Sequence, residues 1–176
     1  METLYQDLIK LLIENYFHAR DSLALLCVSK KFAAVGEIYR GILLDAKTGL
    51  EYCITNGNLA ACQLINKTEI IDIHADNEWA FRLSCSCGHL EIMRWLYQLS
   101  TKHDSYPINI HVEDEWAFCA SCSDNLINAQ WLYQLSIEMN SPIDIHINDE
   151  TPFCQSCQEG HLEIARWLYL VAKGAG

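Results

Sequence analysis

IHADNEWAFRLSCSCGHLEIMRWLYQLS, running from Ile73 to Ser100, returns as IHVEDEWAFCASCSDNLINAQWLYQLS from Ile110 to Ser136 and as IHINDETPFCQSCQEGHLEIARWLYL from Ile145 to Leu170. The tryptophans Trp95, Trp131 and Trp167 recur at intervals of 36 and 36 residues, and the leading histidines His74, His111 and His146 at intervals of 37 and 35. A weaker copy, GLEYCITNGNLAACQLI, starts at Gly49, and its Gly57-Asn58-Leu59 aligns with Gly88-His89-Leu90. Self-similarity at a fixed period of this size marks an array in which one small unit stacks on the next.

Each unit reads as two helices. The first starts after Asn77, Asp114 or Asp149, residue types that cap exposed backbone amides, and the following Glu78, Glu115 or Glu150 suits the positive helix end. Phe81, Phe118 or Phe153 then stands four residues before Cys85, Cys122 or Cys157, a spacing that puts both side chains on one face. Gly88 or Gly160 ends the helix, since glycine accepts the left-handed backbone of a helix terminus. The second helices, LEIMRWLYQL, LINAQWLYQL and LEIARWLYLV, are apolar at helical spacing. An alternating strand pattern is absent. No unit of this size buries its own apolar face, so the stack is expected to share one continuous core.

The segment TPFCQSCQEGHLEIARWLY from Thr151 resembles the ankyrin helix pair, T-P-L-H-x-A-A-x-x-G-H-x-E-I-V-x-x-L-L. Thr151, Pro152, Gly160, His161, Glu163 and Ile164 match directly. Phe153 stands for the Leu, Cys154 for the His, and Ser156 and Cys157 for the two small alanines. The resemblance spans about residues 45–172 and implies an all-α ankyrin-repeat solenoid of about four helix pairs, near 45–71, 72–108, 109–143 and 144–172. The wording IDIH…E.AF…GHLEIA.WLY is similar to ankyrin families expanded in giant DNA viruses of protists. Three departures carry consequences. Trp79 stands only five positions after His74, so the loops that form β-hairpin fingers in ankyrins are expected to be short. Trp116 to Trp131 is one residue shorter than Trp79 to Trp95, so the turn near Asp124-Asn125 should be irregular. The sequence reaches Gly176 straight after the fourth second helix with no polar capping repeat, so the outer face of that pair is expected to be open or met by a partner.

Residues 1–44 do not repeat and read as three short helices. Their L-x-x-V-S-K-K-F ending resembles an F-box, the motif that docks on the Skp adaptor of cullin-type ubiquitin ligases. Leu25, Val28, Ser29, Lys30 and Phe32 carry the likeness, while Leu4-Tyr5 replaces the opening Leu-Pro. The resemblance implies adaptor contacts through Leu8, Leu12, Leu23, Leu26, Val28 and Phe32. The simpler reading makes these helices a cap on the first repeat, buried against Leu50 and Ile54.

Composition excludes several functions. The 176 residues carry a formal charge of −11, with 23 acidic against 12 basic residues. Nucleic-acid binding needs clustered cations that displace counterions, so no nucleic-acid partner is expected. No cationic leader opens the chain and no apolar run approaches the ~20 residues of a membrane span. The nine cysteines, an odd number without an export signal, are expected as reduced cytosolic thiols. The chain is therefore expected in the cytoplasm, that of the host if the source is viral. Cys119-x-x-Cys122, Cys154-x-x-Cys157 and Cys85-x-Cys87 raise a zinc reading, but Cys85, Cys122 and Cys157 sit where ankyrins place small core residues, and cysteine packs as a small hydrophobe. The histidines His74, His111 and His146 are expected to make a repeated hydrogen bond along the stack, and His89 and His161 to tie loops together. Trp95, Trp131 and Trp167, in register with Leu96, Leu132 and Leu168, read as core.

No nucleophile with a base and an orienting partner, and no phosphate-cradling glycine loop, is visible. The chain is expected to be a non-enzymatic protein-binding module without cofactor or metal. Its binding surface would be the concave one, with Asp76, Asn77, Glu113, Asp114 and Asp149 forming an acidic stripe toward a basic protein. The same residues serve capping and solubility in the simpler reading. With a working F-box the chain would be a substrate adaptor. Otherwise it is a scaffold or decoy, and a metal-binding module stands as a further alternative.

Overall fold

The computed structural model describes residues 46–68, 71–103 and 106–174. The F-box-like segment, with Leu8, Leu12, Leu23, Leu26, Val28 and Phe32, lies outside the described residues. The chain divides into two compact units between Ile71 and Asp72. Among the described residues every regular element is a helix, and no helix is long and apolar enough to cross a membrane.

The first unit holds one described helix pair, α1 (Ala46–Thr55) and α2 (Leu59–Thr68). Leu50, Cys53 and Ile54 of α1 are buried, as are Ala61, Cys62 and Ile65 of α2. Gly57 closes α1 with φ +67°, and Asn58 N–H donates back to the Cys53 carbonyl at 2.9 Å. Asn58 Oδ1 then accepts from Ala61 N–H at 3.1 Å and so caps α2. The Cys62 thiol is pushed up in pKa, first by its hydrogen bond with Cys53 and then by burial.

The second unit holds three pairs: α3 (Ala75–Ser86) with α4 (Leu90–His103), α5 (Val112–Cys122) with α6 (Leu126–Glu138), and α7 (Ile147–Gln158) with α8 (Leu162–Ala172). Each first helix packs on its own second helix, and α5 packs on both α3 and α7. Phe81 and Cys85 of α3, and Phe118 and Cys122 of α5, are buried as their four-residue spacing requires. In α7 the same positions are more open: Phe153 is half-buried and Cys157 exposed. Pro152 lies early in the right-handed part of α7, where a missing N–H is tolerated.

Successive pairs are joined by tryptophan. The Trp131 ring lies 6.4 Å from Phe81 and 6.3 Å from Tyr97, the latter edge-on. One unit along, Trp167 lies 6.3 Å from Phe118 and 5.8 Å, again edge-on, from Tyr133. Tilted and edge-to-face rings at these separations add about 0.5–1.5 kcal/mol per pair beyond the area they bury. Leu96, Leu132 and Leu168 are buried as expected, while Trp131 and Trp167, which span the seams between pairs, are half-buried.

Connections between pairs are fixed by buried serines. Ser100 and Ser136 hydroxyls donate to the Tyr97 and Tyr133 carbonyls and accept, at 3.1 Å in both cases, from Ile108 and Ile143 N–H. This seats Ile108, Ile110 and Ile143 in the core with no strand needed. Within pairs, Gly88 (φ +76°) and Gly160 (φ +80°) make the left-handed helix ends read from the sequence. His89 and His161 N–H close them onto the Ser84 and Ser156 carbonyls at 3.0 and 2.8 Å.

The α5–α6 turn, one residue shorter, departs from its neighbours: none of residues 123–125 takes a left-handed backbone. Asn125 N–H donates to the Ser121 carbonyl at 2.8 Å, and Asn125 Oδ1 accepts from Asn128 N–H at 3.1 Å. A second departure lies one step further, at the Asn128 side chain. Asn128 occupies the core position of Ile92 and Ile164, is 1 % exposed, and both its amide atoms are buried with no hydrogen-bond partner. A buried amide left unpaired costs about 1–3 kcal/mol. Asn128→Ile is therefore expected to stabilise the chain by about 1–2 kcal/mol in denaturant unfolding. A lower midpoint for the variant would refute this account of the position.

Candidate protein-binding surface

The loops that lead into α3, α5 and α7 are built alike. Asp72, Asn109 and Asp144 accept through Oδ1 from His74, His111 and His146 N–H at 3.0, 3.0 and 2.9 Å. Three consecutive residues then take left-handed backbone angles: Asp76-Asn77-Glu78 (φ 49°, 56°, 60°), Glu113-Asp114-Glu115 (φ 53°, 54°, 58°) and Asn148-Asp149-Glu150 (φ 49°, 56°, 67°). The sequence places Asn77, Asp114 and Asp149 as helix caps. The structure instead sets them mid-turn in left-handed geometry, and none of the three helices has a side-chain cap bond. Left-handed backbone costs an L-residue roughly 1–2 kcal/mol, less for Asp and Asn, so the glutamates are the strained members.

Their side chains account for the conformation. His74 Nδ1 donates to both Glu78 carboxylate oxygens at 2.9 and 3.0 Å, and His111 Nδ1 to those of Glu115 at 2.8 and 3.0 Å. The His111 proton belongs on Nδ1, because its Nε2 is buried without an acceptor. Glu78 Oε1 also accepts from Asn109 N–H at 3.2 Å, and Glu115 Oε1 from Asp144 N–H at 3.5 Å. Each carboxylate therefore reaches from its own turn to the loop of the next unit. This is the repeated histidine bond expected from the sequence, and its partner is the glutamate whose position in the sequence suits a helix start. Glu78 and Glu115 are 6 % and 7 % exposed, whereas the Glu150 side chain, bonded to His146 at 2.6 Å, is 52 % exposed.

Asp76, Asn77, Glu113, Asp114 and Asp149 are all exposed. Two of them are tied to each other across units: Asn77 Nδ2 donates to Glu113 Oε1 at 3.3 Å. Arg82, which the sequence reading passed over, organises this end. It donates from Nε to the Asn77 carbonyl at 2.8 Å, from Nη2 to the Asp76 carbonyl at 3.1 Å, and from Nη1 to Glu113 Oε2 at 2.6 Å. Its guanidinium also lies 5.3 Å from the Trp116 ring centroid. The signal in the sequence was position: the same register holds Cys119 and Cys154 in the later units. His161 approaches Asp124 of the preceding turn at 3.6 Å, in line with a loop-tying role.

Among the described residues, no three His, Cys, Asp or Glu side chains gather as metal ligands, so the paired cysteines do not assemble a centre there. Burial pushes the Cys85 and Cys122 thiols far up and, with Glu115 nearby, that of Cys119 to about 11. Cys154 and Cys157 are exposed. A scan of protein-family models, a search of curated proteins and a search of solved structures each return no match for this chain.

Two predictions follow from this geometry. Glu78→Ala removes the carboxylate to which the half-buried His74 imidazole and the Asn109 amide donate and is expected to cost about 2–3 kcal/mol in unfolding free energy. Glu150→Ala, at the open end, should change stability by less than about 0.5 kcal/mol; equal costs at both positions would refute the bridging role. Iodoacetamide at pH 8 is expected to label Cys154 and Cys157 in the folded chain and to spare Cys85, Cys119 and Cys122, as mass spectrometry would read. The raised thiols stay neutral there, and their stabilising contribution fades only as pH climbs from about 8.5 toward 11.

Proposed function

We propose that this chain is a non-enzymatic protein-interaction module, an ankyrin-type array that binds a basic segment of another protein in the cytoplasm. The observation that carries this reading is the set of left-handed turns: two of them present Asp76 and Asp114 on a backbone fixed by the buried Glu78 and Glu115 carboxylates, and the third presents Asp149. Acids presented on a rigid frame lose little freedom on binding. The chain-wide excess of 23 acidic over 12 basic residues steers a cationic partner toward them.

Arg82 supports a guanidinium as the preferred group. It fills the first turn from within, engaging two turn carbonyls, a carboxylate and an indole face together. Cys119 and Cys154 stand at its register in the later units and offer no guanidinium to those turns, where Arg82 and Asn77 hold the Glu113 carboxylate, Thr151 holds the Asn148 carbonyl, and Asp114 and Asp149 stand exposed. A partner arginine would bind there bidentately, which a lysine cannot reproduce.

The F-box likeness of residues 1–44 extends the proposal: the array selects a target, and the N-terminal segment recruits the Skp adaptor of a cullin-type ligase. Affinity pull-down with mass spectrometry tests both parts. Asp114→Lys with Asp149→Lys is expected to lower target capture at least tenfold, and 0.5 M salt to weaken it likewise. Leu26→Glu is expected to abolish co-purification of the Skp adaptor while leaving target capture intact. Target capture without any adaptor in the wild-type chain would leave the scaffold reading and end the ligase one.

A further inference from the structure

The outward stripe of α6 differs from those of the helices beside it. Trp131 meets Tyr97 of α4, and Trp167 meets Tyr133 of α6, in one repeated arrangement, so α4, α6 and α8 lie side by side and run in one direction. Ile127, Gln130, Gln134 and Ile137 follow at spacings of three and four, which places them on one side of α6, and all four are exposed. Ile127 is 64 % and Ile137 46 % exposed. Where α6 has Ile127, α4 and α8 have the exposed Glu91 and Glu163. Where α6 has Ile137, they have the exposed Thr101, beside Lys102, and Lys173 at the end of α8. An uncharged strip with an isoleucine at each end thus lies between two charged rims, as the centre of an interface lies within its edge. These positions are open on α4 and α6, which already have a further unit against them, so the stacking of units does not cover them.

We propose that this face pairs with a second copy of the chain about a two-fold axis running across the three helices, which sets α6 antiparallel on the other α6. Ile127 then faces Ile137 of the second copy, and Ile137 faces its Ile127. On the rims Glu163 faces Lys173, and Glu91 faces Thr101 with Lys102 beside it. The charge order selects this pairing. The other two-fold, along the helices, sets Glu91 of one copy against Glu163 of the other and Arg94 against Arg166, and like charges opposed across an interface disfavour it. The rims carry Arg94, Lys102, Arg166 and Lys173 against Glu91 and Glu163, so the chain-wide charge of −11 is not concentrated on this face. A contact of this kind uses one patch twice and closes at two copies. Three helices about 10 Å apart, with a stripe about 15 Å long, offer roughly 1,000 Å² from two copies, the low end for a specific interface. A weak dimer is therefore expected, with a Kd on the order of 100 μM. The surface is apart from the acidic turns, and the inference stands without the function proposed for them.

Sedimentation equilibrium of the full chain, from about 10 μM to about 1 mM, is expected to show reversible exchange between monomer and dimer. Ile127→Lys and Ile137→Glu, each on an exposed side chain, should each weaken the dimer at least tenfold while the melting temperature stays unchanged. Carried together in one chain, the two substitutions should restore it, because their opposite charges face each other only in the antiparallel pair. High salt should then weaken the restored dimer more than the wild-type one. A chain that stays monomeric up to about 1 mM would overturn the inference. So would a dimer that both single substitutions leave intact, which would place the contact elsewhere, or a folded double variant that stays monomeric. Asp114→Lys with Asp149→Lys should leave the dimer intact, and loss of the dimer in that variant would overturn the assignment to this face.

Discussion

A carboxylate buried between two helix pairs sets the terms for the rest of the structure. Taking a charged group out of water costs several kcal/mol unless it is fully bonded. Glu78 and Glu115 meet that demand with an imidazole N–H from their own turn and a backbone N–H from the next loop. To reach both, the glutamate backbone adopts φ near +60°, which an L-residue with a long side chain otherwise avoids. The strain and the bridge are thus one device, and through it each loop fixes the position of the unit after it. The short loops follow from this: with two donors already placed, no hairpin is needed to hold the spacing.

The joint between pairs has a direction. One side carries the acceptors, phenylalanine, tyrosine and glutamate; the other carries the indole and the amide. Such a heterologous contact propagates and does not close on itself. The α5–α6 pair is the weak step in the series. It lacks the left-handed glycine of its neighbours, and Asn125 takes over by capping α6 and lying against Gly88, where an added Cβ would come within 3.2 Å of its amide nitrogen. It also buries the unpaired Asn128 amide where α4 and α8 bury isoleucine.

Much of the described fold was legible because it rests on local periodicity. The phenylalanine and cysteine four residues apart and the glycines at helix ends each act within one helix or one turn, and sequence spacing reports such things directly. The turn ahead of each first helix was not legible. Asp and Asn beside Glu at a helix start satisfy the rules for an N-terminal cap, and those rules carry no term for a neighbouring unit. The left-handed turn wins only because Asn109 and Asp144 supply amides from about thirty residues away. Arg82 was missed for the same reason, since its bonds to Glu113 and its place over Trp116 exist only once two units are side by side.

The three pairs also show that burial belongs to the neighbour and not to the residue. Phe81 and Phe118 are fully buried, while Phe153, the same residue in the same helical register, is half-buried. Cys85 and Cys122 are buried and Cys157 is exposed by the same rule. Serine closes the connections after α4 and α6, but Ala172 stands at that position in α8 and cannot hold a following loop through a hydroxyl. In a stack whose stability is a sum of unit and interface terms, the pair with one interface is the first to open.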